Sequence, residues 1–106
     1  MSHVLFSYYV PAEGAQLVQD ACFKAGAGKI GNYIDCSWHT LGYGQFKPQP
    51  GANPKLGEIN KTFHETIIKV EIICQQDLWP AIEKAFLEAH PYETPAYFIT
   101  PILNTI

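Results

Sequence analysis

The chain has 106 residues, 47% of them hydrophobic and only 16% charged, with a formal net charge of −3. That length allows one domain around one core, residues 1–106. The charge content lies well below the roughly 25% of an average globular domain and excludes a disordered tail.

The seven basic residues are scattered singly, so a nucleic-acid backbone is not an expected partner. No apolar run approaches the roughly 18 residues of a membrane span. The start, MSHVLFSYYVPAEG, lacks a basic n-region and a long h-region, and no signal peptide is expected. Cys22, Cys36 and Cys74 are odd in number and form no C-x-x-C pair, which fits small buried hydrophobes in a reducing cytoplasm.

Residues 3–10, HVLFSYYV, read as a strand that Pro11 stops. The following AEGAQLVQDACFKAG places Leu17, Val18, Ala21, Cys22 and Ala25 at helical spacing, with Gly26 ending the helix. Residues 27–63 are too long for a plain loop. Within them, YIDCSWHTLGYGQFKP predicts a long bulged strand or a hairpin, and QPGANPKLG a tight connection.

ETIIKVEII, residues 65–73, alternates Ile68, Val70 and Ile72 against Lys69 and Glu71. Asp77 is the expected N-cap of LWPAIEKAFLEA, Pro80 lies in its first turn, and Leu78, Ile82, Phe86 and Ala89 form its buried stripe. AYFITPIL returns as a strand.

The order β-α-β-β-α-β defines an α+β, ferredoxin-like plait: an antiparallel sheet with two helices on one face. Leu5, Tyr9, Phe98 and Ile102 make the second face apolar too, so other subunits are expected to cover it.

Candidate site residues cluster in three stretches. GAGKIGNY, residues 26–33, either turns the chain with its glycines or presents backbone N–H groups from Gly28 to Asn32 to an anion. It follows a helix and lacks the G-K-[ST] ending of a phosphate loop. FKPQPGANP is a stiff connection with Asn53 before Pro54, or a ligand-contacting loop. HPYETP, residues 90–95, ends the second helix near Ala89, because proline disfavours helix at the residue before it.

In that last motif, His90 is expected against the helix's C-terminal carbonyls. Glu93 has no visible partner for acid–base work. Cys36 and His39, three apart in an extended segment, alternate faces and make a poor metal pair.

Three blocks, GAGKIGNYIDCSW, GYGQFKPQPGANPKLGE and AHPYETPAYFI, resemble in order and spacing the domain inserted in the Nif-three-like (YqfO-type) dinuclear-metal-centre hexameric proteins. The resemblance covers roughly residues 3–103. It implies a fold similar to CutA and the PII signalling proteins, plaits that assemble as trimers with their sheets inward. In the family the metals are held by His, Asp and Glu of flanking domains. HPYE is not that metal motif, so no metal ligand carries over to this chain.

The expected function is therefore a non-enzymatic, cytoplasmic, trimeric sensing or binding module without a cofactor. It would bind a small anionic metabolite or a metal ion where subunits meet, at Gly31, Asn32, Tyr33, Gly51, Asn53, His90, Tyr92 and Glu93. Two alternatives stand beside it. One is a ligand-free protein-interaction module using an exposed edge strand or helix face. The other is a CutA-like copper-binding protein using Cys36, His39 or His90 from neighbouring subunits.

Overall fold

The computed structural model describes residues 2–103. Four strands alternate with two helices: β1 (His3–Pro11), α1 (Ala15–Lys24), β2 (Trp38–Phe46), β3 (Phe63–Gln75), α2 (Trp79–Ala89) and β4 (Tyr97–Pro101). A single 3-10 turn leads into each helix, Ala12–Gly14 and Gln76–Leu78. The strands form one antiparallel sheet in the order β2-β3-β1-β4, the topology expected for a ferredoxin-like plait.

Strand alternation decides what the helices cover. Val4, Phe6, Tyr8 and Val10 of β1 and Val70, Ile72 and Cys74 of β3 are buried, facing Val18 and Cys22 of α1 and Ile82 and Phe86 of α2. Phe6 sits at the centre of this layer. Its ring meets Trp79 at 4.8 Å and Phe86 at 5.1 Å edge-on, geometry that adds to the burial of each ring. Tyr97 joins the cluster and donates its hydroxyl proton to the Glu83 carboxylate at 2.7 Å.

The helix ends follow local rules. After α1 the N–H of Gly26 bonds the carbonyl of Phe23 at 2.9 Å and that of Ala27 bonds Cys22 at 3.1 Å, a Schellman closure. Gly26 takes the left-handed conformation, φ 111°, that this closure needs. Pro80 lies in the first turn of α2, as expected, and the helix stops at Ala89 where His90 turns extended (φ −70°, ψ 136°).

Four expectations are corrected. Asp77 makes no capping bond; it falls in the 3-10 turn, and Leu78 holds the N-cap position of α2. Leu17 is 67% exposed, because α1 turns only Val18 and Cys22 fully onto the sheet. β2 is neither bulged nor a hairpin in itself; Trp38 to Phe46 pair residue for residue with Glu71 to Phe63. β4 ends at Pro101, leaving Ile102 and Leu103 beyond the strand.

The open face is more mixed than the sequence suggests. By register, Leu5, Tyr9, Ile67, Ile73 and Phe98 share it with Ser7, Lys69, Glu71 and Thr100. β2 also extends past the helical layer, so Leu41 and Tyr43 on its helix side are exposed, and so is Trp38 on the other. The molecule is correspondingly long, 46 × 25 × 23 Å. Its radius of gyration of 14.7 Å exceeds the value of about 13 Å for a compact chain of this length.

Truncating the centre of the helix–sheet layer should be costly and truncating its rim should not. Phe86→Ala is expected to lose about 3–5 kcal/mol in urea unfolding, whereas Leu17→Ala should stay within about 0.5 kcal/mol of the parent.

Candidate functional site

The connection from α2 to β4, residues 90–96, is pinned from beneath by His90. Its imidazole is buried, with Nε2–H donating to the Tyr9 carbonyl of β1 at 2.7 Å and Nδ1 accepting the N–H of Tyr92 at 3.0 Å. The side chain thus bonds the sheet and its own loop; the expected bonds to the carbonyls of α2 are not made. The two partners require the neutral Nε2–H tautomer. Burial pulls the His90 pKa below its ordinary value of 6.5, partly opposed by the Tyr9 bond and reinforced by the Lys55 ammonium nearby.

Tyr92 continues the connection outward. Its ring lies 4.9 Å from His90 and 5.2 Å from Phe46, and its hydroxyl donates to the Glu65 carboxylate of β3. Burial first, then the bond to Glu65 and its negative charge, hold the Tyr92 hydroxyl protonated well above the ordinary range. Glu93 reaches the other way, and its Oε1 accepts the N–H of Asn53 at 3.0 Å. That bond ties the connection to the loop that follows β2.

The loop has its own closure. The N–H of Ala52 bonds the carbonyl of Gln49 at 2.9 Å, with Gly51 at the turn, and the N–H of Asn60 bonds the carbonyl of Pro48 at 2.7 Å. Between this loop, the connection and the open end of the sheet lies a cavity of about 590 Å³. Tyr9, Phe46, Ile67 and Tyr92 line its apolar side, and Lys47, Lys55 and Glu93 bring charge to it. Gly44 is needed in its β2 wall, because a Cβ there would come within 2.6 Å of Ile67 Cγ1.

His90, Tyr92, Glu93, Asn53 and Gly51 therefore gather at one end of the sheet. Gly31, Asn32 and Tyr33 do not join them. Ile30 and Tyr33 exchange both backbone bonds at 2.9 Å around a two-residue corner made by Gly31 and Asn32. That corner belongs to the loop fastened by the Gly28 N–H to the carbonyl of Ile73, near the far end of β3. Glu65 and Ile73 are eight residues apart on one strand, about 26 Å. The N–H groups of Gly28 and Ile30 are spent on these internal bonds, which takes two donors from an anion-binding role.

The residues missed from the sequence are Glu65, Phe46, Lys47 and Lys55. Glu65 is 27 positions from Tyr92, and only the sheet register brings the two together. Phe46 and Lys47 stood inside a recognised block, and a straight strand in place of a bulged one would have put Phe46 on the open face.

Within one chain Cys36, His39 and His90 do not converge. Cys36 is half-buried in the 28–37 loop, His39 is exposed on β2, and both His90 nitrogens are engaged. Among the described residues no three His, Cys, Asp or Glu side chains come together as metal ligands. The donor set does not fit the dinuclear centre of the resembled family.

Protonating His90 would place a second N–H against the Tyr92 N–H donor. Its folded pKa lies below the unfolded value, so its contribution to stability is fully present above about pH 6.5. It is lost as the pH falls through the folded pKa. The melting temperature should drop on acidification below 6.5, and His90→Gln, which cannot ionise, should flatten that slope while lowering stability at pH 7.5.

No family model matches the sequence. The chain is 44% identical over 91 residues to a Mycobacterium leprae protein named GTP cyclohydrolase 1 type 2 homolog, covering 86% of this chain and 24% of that protein. The Bacillus subtilis protein of the same name is 37% identical over 97 residues, covering 92% and 26%. The chain thus spans about a quarter of the length of the curated relatives it matches.

Among solved structures, a Bacillus cereus protein related to NIF3 superposes with a TM-score of 0.81 at 33% identity, over 97% of this chain and 26% of that one. CutA1 from Shewanella sp. SIB1 superposes at 0.69 with 21% identity, over 98% and 84%. The chain resembles a domain-sized portion of NIF3-related proteins, and its fold is the CutA-like plait.

Proposed function

We propose that this counterpart of a NIF3-protein domain is a non-enzymatic, cytoplasmic binding module of PII/CutA type. It takes a small ligand in the cavity between the 47–56 loop and the 90–96 connection. The observation that carries this reading is the way the cavity is built. Three side chains of one short connection, His90, Tyr92 and Glu93, fasten it to β1, β3 and the opposing loop. The result is a preformed space of about 590 Å³, within the usual range of ligand pockets.

Copies of the chain complete the module as a homotrimer. Trp38 and Phe98 are exposed on the open face, and the outer edge of β2 pairs with no strand among the described residues. Such an edge invites a neighbour. The same edge favours a second reading, in which β2 receives a strand from a different protein.

Two measurements test these readings. Light scattering should return the mass of three chains, and a clean monomer would refute the assembly. A thermal-shift screen of small metabolites and divalent ions should find a stabilising compound, since a ligand at a hundred times its Kd adds about 2.7 kcal/mol. Ala52→Trp, which fills the cavity from an exposed loop position, should abolish that shift. A screen without any shift, together with capture of a partner chain on β2, would favour the second reading.

A further inference from the structure

The cavity wall divides by chemistry. Tyr9, Phe46 and Tyr92 present aromatic rings from three separate elements, and Ile67 and Leu56 add aliphatic surface. Aromatic surface from three directions suits a flat apolar body. The charged groups are unequal in freedom. Glu93 accepts the Asn53 N–H, and Glu65, which does not line the cavity, accepts the Tyr92 hydroxyl proton. Lys47 and Lys55 both line the cavity, both are exposed, and neither forms an ion pair among the described residues.

We propose that the cavity binds an aromatic anion, its ring held among Tyr9, Phe46 and Tyr92 and its carboxylate or comparable acid group met by Lys47 and Lys55. This names the ligand class of the binding site proposed above and rests on that reading. Glu65 and Glu93 each have one oxygen held by a donor of the chain itself, whereas the two ammonium groups have no ion-pair partner among the described residues and are the groups free to turn toward a ligand. The lysines, on flexible stems, act as point charges that accept acid groups of differing geometry. A neutral ring keeps the stacking and loses the ammonium contacts. An inorganic anion keeps only those contacts, in water, where they are weak.

The test uses four probes on the full chain by isothermal titration: 2-naphthoate, its neutral analogue 2-naphthamide, hexanoate and inorganic phosphate. Naphthoate should bind at least about tenfold more tightly than each of the others. Lys47→Met/Lys55→Met should remove that preference, bringing the acid and amide affinities together. The wild-type comparison alone decides the matter should the double variant fold poorly.

Equal binding of acid and amide would overturn the anionic assignment and leave the cavity reading standing. Phosphate or hexanoate matching naphthoate would overturn the aromatic one. Absence of binding by all four would overturn this proposal, while the metabolite screen with Ala52→Trp judges the cavity separately. Naphthoate binding undiminished in Ala52→Trp would place the probe elsewhere and overturn it as well.

Discussion

The candidate site hangs on the His90 imidazole. One nitrogen donates a hydrogen bond to β1 and the other accepts one from the loop, so a single neutral ring joins the end of β1 to the α2–β4 connection. A buried polar group is costly to leave unbonded, and here that cost sets the tautomer and the path of the next residues. Tyr92 is aimed at Glu65 because its backbone is held by His90. Glu93 then faces Asn53. The aromatic run from Trp79 through Phe6 and Phe86 to His90, Tyr92 and Phe46 makes the cavity wall continuous with the core.

The fold was readable where periodicity and punctuation agreed. β1 and β3 are rich in β-branched and aromatic residues, Gly26 and the His90–Pro91 step mark the ends of α1 and α2, and the element order names the plait. Errors came where a local rule competed with tertiary context. Asp77 looked like an N-cap, but a 3-10 turn intervenes before α2. YIDCSWHTLGYGQFKP suggested a bulged strand or a hairpin, yet its Gly44 is there to let Ile67 lie across the strand. Leu17 followed the helical spacing and still faces outward, because two helices on a four-stranded sheet leave the flank of α1 uncovered.

Of the site, the sequence yielded the members that crowd one motif and not those supplied by register. His90, Tyr92 and Glu93 were legible as a polar cluster between prolines, and Asn53 as a rigid turn. Nothing in one dimension joins Glu65 to Tyr92 or separates the Gly31–Tyr33 corner from the rest; the antiparallel pairing of β3 does both. The histidine that invited a catalytic or metal-binding reading is spent on backbone bonds. Its chemistry is architectural, and the groups left free for a ligand lie around it.

β2 is joined to the described structure chiefly through its ladder with β3, and the helices leave both of its faces largely in solvent. Its amides should consequently exchange with deuterium through local openings well below the energy of global unfolding, while those of β1, under both helices, exchange only with the whole. Gly44, Gln45 and Phe46 form one wall of the cavity. The molecule is therefore graded in cooperativity across its sheet, with a rigid wall contributed by the core and a softer one by the outer strand. Any occupant that bridges the two would be registered as slower hydrogen exchange along β2, a change in the stiffness of the sheet rather than in its shape.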